Sequence, residues 1–215
     1  MAFKAVIFDL DGVIVSTDEY HYMAWKRIAD EEGVYFDESI NMRLRGVSRM
    51  ESLDILLEKS QVNYSENEKL RLAERKNSLY IDFIKRLTPD NALPGVGALL
   101  SSLKENNVKI AIGSSSKNCP AILKYIGLNN YFDAVVDGND ISYSKPHPEV
   151  FLKASQKLGV RPKDCLVIED ASSGVAAALA AGMKVVGVGS ASTDEDADYT
   201  SQSLEGFNLD IVLKP

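Results

Sequence analysis

Short apolar runs rich in β-branched residues punctuate the chain: Val6-Ile7-Phe8, then "KIAIGSS" from Lys109, "FDAVVD" from Phe132, "CLVIED" from Cys165 and "KVVGVG" from Lys184. Runs of this length and composition read as strands, with "DIVL" from Asp210 a candidate edge strand. Amphipathic stretches separate them: "GVGALLSSLKENN" from Gly95, "CPAILKYIGL" from Cys119, "PEVFLKASQKLGV" from Pro148 and "SGVAAALAAGM" from Ser173. Strands alternating with helices predict parallel pairing through helical crossovers, hence an α/β fold with a doubly wound, Rossmann-like sheet. Ligands of such sheets lie at the carboxyl ends of the strands.

One segment breaks the alternation. Between Ser16 and Thr88 there is no strand pattern but three helical stretches, near 18–32, 48–60 and 66–87, so residues 16–88 read as an α-helical cap domain inserted into a core of 1–15 and 89–215. Ser16 and Glu19 fit a capping box at its start, and "TPDNALPG" marks a turn-rich exit. Two such hinges would let the insert move as a lid.

Composition excludes several classes. With 215 residues, 45% of them hydrophobic, the chain is long enough for a sizeable core and a cleft. A formal charge of -7 opposes a polyanion-binding face, so no nucleic-acid partner is expected. No 18-residue apolar segment occurs, which predicts no membrane association. The N-terminus shows no signal-peptide pattern, so an unprocessed chain is expected. The two cysteines, Cys119 and Cys165, lack CxxC or Cys/His spacing and read as small buried hydrophobes of a reducing, cytoplasmic protein.

The chemistry gathers at the strand ends. "FDLDGVI" (8–14) places Asp9 and Asp11 where the first strand stops, and the two-residue spacing can aim both side chains at one crevice. Ser114-Ser115-Ser116 follow the second strand, Lys145 follows the third, and Glu169-Asp170 close the fourth. Each has a plain alternative: Asp11-Gly12 as a turn, the serines and the acidic pair as helix caps, Lys145 as a solvated loop residue. Their joint occurrence at four strand exits favours a site. Two unit negative charges about 4 Å apart repel by about 4 kcal/mol at an effective dielectric of about 20, so one lysine cannot offset this many carboxylates. A hard divalent cation, Mg²⁺ by preference, would complete the balance, and Mg²⁺ commonly shares carboxylates with a substrate phosphate. That combination points to phosphoryl transfer with an aspartate able to carry the group covalently. Gly95-Val96-Gly97 and Gly187-Val188-Gly189 do not extend to GxGxxG and read as packing or turn features.

"FDLDGVI", Ser114, "SKP" (144–146) and "IEDASSGVAAALAAGM" (168–183) resemble, in order, the four signatures of the haloacid dehalogenase superfamily. Within the insert, "EYHYMAWKRIA" (19–29), "LRGVSRMESL" (44–53) and "LAERKN" (72–77), together with "SSSKN" (114–118), are similar to its sugar-phosphate mutases. That resemblance implies Asp9 as nucleophile, Asp11 as general acid/base, and Ser114 and Lys145 holding the transferring phosphoryl group. It implies Mg²⁺ held by Asp9, the Asp11 backbone carbonyl and Asp170, with Glu169 assisting. Arg49, Ser116, Lys117 and Asn118 would bind a second, non-transferring phosphate, and the cap would add His21, Trp25, Gly46, Val47, Ser52 and Lys76. Arg45 stands before Gly46 where the resemblance would place lysine, and Ser115 where it would place a smaller residue.

The implied reaction is an isomerase that interconverts β-D-glucose 1-phosphate and glucose 6-phosphate through an aspartyl-phosphate and a bisphosphate. Its partners would be small-molecule sugar phosphates, and the chain would act as a monomer. An Mg²⁺-dependent sugar-phosphate phosphatase is the alternative enzyme, and a phosphoryl-accepting signalling module the remote one.

Read without the resemblance, the cap residues stay open. Lys76 interrupts an apolar stripe of Leu72, Leu79, Tyr80 and Phe83, so it either meets an anion or snorkels to solvent. His21 could be a packing residue with Trp25 and Ile28, and Arg49 an exposed one heading a row with Leu53 and Leu56. His147, between two prolines, is expected to face solvent.

Overall fold

The computed structural model describes residues 2–44 and 47–214. Its contacts divide the chain into two compact units, 17–87 and the remainder on either side of it.

In the discontinuous unit, β1 (Ala5–Phe8) leads out to the helical unit, which comprises α1 (Asp18–Glu32), α2 (Glu38–Met42), α3 (Arg49–Leu57) and α4 (Glu66–Ile84). After it, α5 (Val96–Glu105), β2 (Lys109–Gly113), α6 (Cys119–Tyr125), β3 (Ala134–Val136), α7 (Glu149–Leu158), β4 (Cys165–Glu169), α8 (Ser172–Ala180), β5 (Lys184–Gly187), β6 (Tyr199–Thr200) and α9 (Asp210–Leu213) follow. The six strands form one sheet in the order β3-β2-β1-β4-β5-β6, and every pairing is parallel. This is the doubly wound, Rossmann-like arrangement. The order reverses around β1, so β1 opens at the crevice where such sheets bind ligands.

The sheet is covered on both faces, which explains why β1 and β4 are continuous apolar runs rather than alternating ones. Ile7, Ala111 and Val167 pack with Val150, Phe151 and Ala154 of α7 and with Val175 and Ala178 of α8. Burial of those side chains, at roughly 25 cal/mol per Å² of apolar surface, fixes the register that brings the strand ends level. Gly113, the last residue of β2, has no room for a side chain, since a Cβ there would meet the Phe151 ring at 2.9 Å. Both cysteines are buried.

The expected edge strand "DIVL" is instead the short helix α9. The run is too short for periodicity to separate strand from helix. Asn208 Oδ1 accepts the Asp210 N–H at 3.1 Å and starts the helical turn, while Tyr199–Thr200 pairs with β5 and occupies the sheet edge.

The helical unit has its own core of Trp25, Ile28, Phe36, Ile40, Leu53, Leu56 and Leu72. The capping box expected at Ser16 and Glu19 is absent: Thr17 holds the N-cap position of α1, makes no capping bond through its side chain, and its hydroxyl instead hydrogen-bonds the Tyr80 hydroxyl at 2.8 Å. The motif occurs at α3, where Ser48 and Glu51 satisfy each other's backbone N–H groups. The short α2, capped by Asp37 through Ile40 N–H at 2.9 Å, was not anticipated. Arg45 and Gly46 lie outside the described residues. Among those described, no helix is long and apolar enough to cross a membrane.

Candidate active site

Asp9 is the first residue past β1, held in line by its N–H bond to the Ile168 carbonyl of β4 at 2.9 Å. β4 ends in Glu169, and Asp170 follows it. Ligand oxygens of Asp9, Glu169 and Asp170 all lie within 4.8 Å of one another. Lys145 reaches into this group from the loop before α7 and hydrogen-bonds the carboxylates of both Asp9 and Glu169. Only 4% of Lys145 is exposed, so the solvated-loop alternative is wrong; the Phe151 ring 4.8 Å from its ammonium explains the burial in part.

The electrostatics follow from that packing. Burial opposes the Lys145 charge, but Asp9 and Glu169 outweigh it and hold the ammonium protonated, with its pKa above the ordinary value. Burial pushes the Glu169 carboxyl up, against the pull of Lys145, and its Oε2 accepts the N–H groups of Asp170 at 2.9 Å and Ala171 at 3.1 Å. The Asp170 carboxyl is pushed up to about 8, first by burial and then by the charges of Asp9, Glu169 and Asp11. A carboxyl whose negative form is disfavoured by its neighbours gains most from a cation. The donors are all hard carboxylate oxygens with no His or Cys among them, which fits a divalent ion of the Mg²⁺ type.

Two glycines make the arrangement sterically feasible, and sequence reasoning missed both. Gly12 has φ +80°, and a Cβ on it would fall 2.0 Å from Asp170 Oδ2. A Cβ on Gly174, in the first turns of α8, would fall 2.0 Å from Glu169 Oε1. The Asp-Gly dipeptide was visible as a turn; the close approach is a tertiary fact with no local signal.

Ser114, also buried, follows β2 and is pinned to β3 by its N–H bond to the Val136 carbonyl at 3.0 Å. Its hydroxyl accepts the Ser116 N–H at 3.1 Å, and the Ser116 hydroxyl accepts the Asn118 N–H at 3.2 Å. Ser114, Ser116, Lys117 and Asn118 thus belong to one self-braced loop with Lys117 exposed. The Ser115 hydroxyl is buried and has no hydrogen-bond partner in this structure.

Within the helical unit a second cluster forms. Lys76 is buried, not snorkelled: its ammonium donates to His21 Nδ1 at 2.7 Å and lies 4.9 and 4.8 Å from the Trp25 and Tyr80 rings. Burial first, then the charges of Lys76 and Arg49, hold the His21 pKa well below 6.5, which keeps the imidazole neutral and able to accept. Arg49 is half-buried rather than exposed and donates to Asn77 Oδ1 at 2.8 Å. Ser52 is buried and Val47 partly so. His147 is exposed, as expected, and packs against Tyr143 at 4.8 Å.

This geometry has relatives, and the match to the haloacid dehalogenase-like hydrolase family spans residues 3–182, which includes Asp9, Ser114, Lys145, Glu169 and Asp170. The chain belongs to that family. As a haloacid dehalogenase-like hydrolase it is 44% identical over 211 residues to the beta-phosphoglucomutase of Bacillus subtilis, covering 97% of this chain and 93% of that one. It is 35% identical over 184 residues to the phosphorylated carbohydrates phosphatase of Thermotoga maritima, covering 84% and 82%. The crystal structure of beta-phosphoglucomutase from Clostridium difficile matches with a TM-score of 0.92 at 42% identity, over 98% of this chain and 95% of that one. The superfamily resemblance seen in the four motifs is therefore correct.

Proposed function

We propose that the chain is an Mg²⁺-dependent β-phosphoglucomutase that interconverts β-D-glucose 1-phosphate and glucose 6-phosphate. The observation that carries this reading is the 44% identity, end to end, with the Bacillus subtilis beta-phosphoglucomutase. The phosphatase reading has its own support in the Thermotoga maritima relative, at lower identity and coverage.

Phosphorylated Asp9 donates its phosphoryl group to the 6-hydroxyl of β-glucose 1-phosphate, and the Asp11 carboxylate takes the proton that this hydroxyl loses. The bisphosphate turns end for end. Asp9 then accepts the phosphoryl group from the oxygen on C1, the P–O bond to the sugar breaks, and Asp11 returns its proton to the departing oxygen. Ser114 and Lys145 hold the transferring group, while Ser116, Lys117, Asn118 and Arg49 hold the other phosphate. His21, Trp25, Val47, Ser52 and Lys76 recognise the sugar phosphate, and a buried Lys76 paired with a neutral imidazole and two rings suits an anion. Mg²⁺ would be held by Asp9, Asp170 and the Asp11 carbonyl with Glu169 assisting, and it supplies charge neutralisation for the phosphoryl oxygens.

Proton transfer by a placed carboxyl is worth about 10²–10⁴-fold. Asp11→Asn should therefore slow turnover by about that factor while Mg²⁺ affinity survives, since the proposed ligand atom is the backbone carbonyl. Steady-state rates and a metal titration on the variant check it; full activity, or complete loss of metal, would remove Asp11 from the acid/base role. The mutase reading itself is tested by supplying β-glucose 1-phosphate with Mg²⁺ and scoring products: glucose 6-phosphate is expected to dominate, and inorganic phosphate as the main product would favour the phosphatase.

A further inference from the structure

We infer that the turn Asp137–Asp140, between β3 and α7, is a clamp that positions the phosphate-binding loop 114–118, with Asn139 as its positioning residue. The inference rests on the reading of Ser116, Lys117 and Asn118 as ligands of the non-transferring phosphate.

A loop that presents hydroxyls and N–H groups to a phosphate must be held within about 0.5 Å to be effective. Burial holds the start of the loop at Ser114, but the Lys117 side chain is exposed and cannot be held by packing of its own. The turn supplies it through the backbone. Gly138 N–H donates to the Ser116 carbonyl at 3.2 Å, and Asn139 Nδ2 donates to the Lys117 carbonyl at 3.1 Å. Two successive carbonyls of the loop are thus fixed from one side. The approach is close enough to require Gly138: a Cβ there would lie 2.4 Å from the Ser115 carbonyl oxygen and 2.8 Å from the Lys117 nitrogen.

The turn is rigid in its own right. Asp137, a carboxylate only 6% exposed, accepts the Asn139 N–H through Oδ1 at 2.6 Å, and Asp140 Oδ2 accepts the Asp137 N–H at 3.0 Å. Helix α7 anchors it, because Lys153 Nζ donates to the Asp140 carbonyl at 2.6 Å and Lys157 Nζ to Asp140 Oδ2 at 3.2 Å and to the Val135 carbonyl at 2.8 Å. The same helix carries Phe151, which lies against Lys145 and Gly113. One helix therefore braces both the loop and the ammonium group at Asp9. Burying a charged side chain to shape a turn is uncommon, and holding this loop gives Asp137 a reason to be there.

The test separates the two half-reactions. Asp9 is phosphorylated with acetyl phosphate, and its discharge to β-glucose 1-phosphate is then followed as a function of sugar concentration. Losing one hydrogen bond that fixes the loop should raise the KM for discharge by about 3- to 10-fold in Asn139→Ala, with the rate of Asp9 phosphorylation unchanged. Asn139→Asp keeps the size and turn preference but removes the donor, so it should match Asn139→Ala. Lys117→Ala is the control for the underlying reading and should raise the same KM. If Lys117→Ala raises it and neither Asn139 variant does, the clamp is overturned alone; if Lys117→Ala leaves it unchanged, the phosphate assignment fails and takes the clamp with it. A fall in phosphorylation rate equal to the fall in discharge would show general loosening of the core and also overturn the clamp.

Discussion

Asp9→Asn is expected to abolish turnover and the phospho-protein together. An amide is not a nucleophile towards phosphorus, and Asp9 also pairs with Lys145 and contributes to the cluster with Glu169 and Asp170. The variant should still fold, because Lys145 keeps its ion pair with Glu169 and the buried ammonium is not stranded. Intact-mass measurement after exposure to acetyl phosphate and Mg²⁺ checks this: the native chain gains a phosphoryl adduct and Asp9→Asn gains none. An adduct that persists in Asp9→Asn would move the nucleophile to another residue.

Removing the metal is expected to have an effect as large. Asp9, Glu169 and Asp170 bring three carboxyl groups within 4.8 Å of one another beside one ammonium. Two unit negative charges about 4 Å apart repel by about 4 kcal/mol at an effective dielectric of about 20, so without a further cation the Asp170 carboxyl is pushed up to about 8. A phosphoryl group arriving with further negative charge needs a second cation. Turnover should vanish in excess EDTA and return with added Mg²⁺. Binding can be read apart from activity, since a ligand at 100 times its Kd stabilises the native state by about 2.7 kcal/mol. The native chain should show an Mg²⁺-dependent rise in its thermal midpoint that Asp170→Asn loses. Full turnover in excess chelator would contradict the metal assignment.

Much of this site was legible in the sequence because buried strands exclude acids. In "FDLDGVI" and "CLVIED" the carboxylates come where an apolar run should simply end, and parallel topology then places those ends side by side. Lys145 could be located at a strand exit but its burial could not, since that depends on Phe151 and on two carboxylates distant in the chain. Gly12 and Gly174 are required by single close approaches to Asp170 and Glu169, which leave no periodic trace. "DGND" at 137–140 reads as a turn from composition alone, whereas its grip on the Ser116 and Lys117 carbonyls is a contact between two loops. The burial of Lys76 ran against its intrinsic preference for solvent, and His21, Trp25 and Tyr80 together explain it. Sequence misjudged the short elements most: "DIVL" became a helix, and Tyr199–Thr200, only two residues long, carried no pattern to detect.

The central claim is that phosphorylated Asp9 passes its group to a sugar rather than to water. The direct measurement is a single turnover in which the protein, phosphorylated at Asp9, is mixed with β-glucose 1-phosphate and Mg²⁺ and quenched over time. The account predicts that the phosphorus appears first in glucose 1,6-bisphosphate and then in glucose 6-phosphate, faster than inorganic phosphate is released. Discharge to inorganic phosphate at a rate independent of the sugar would contradict it.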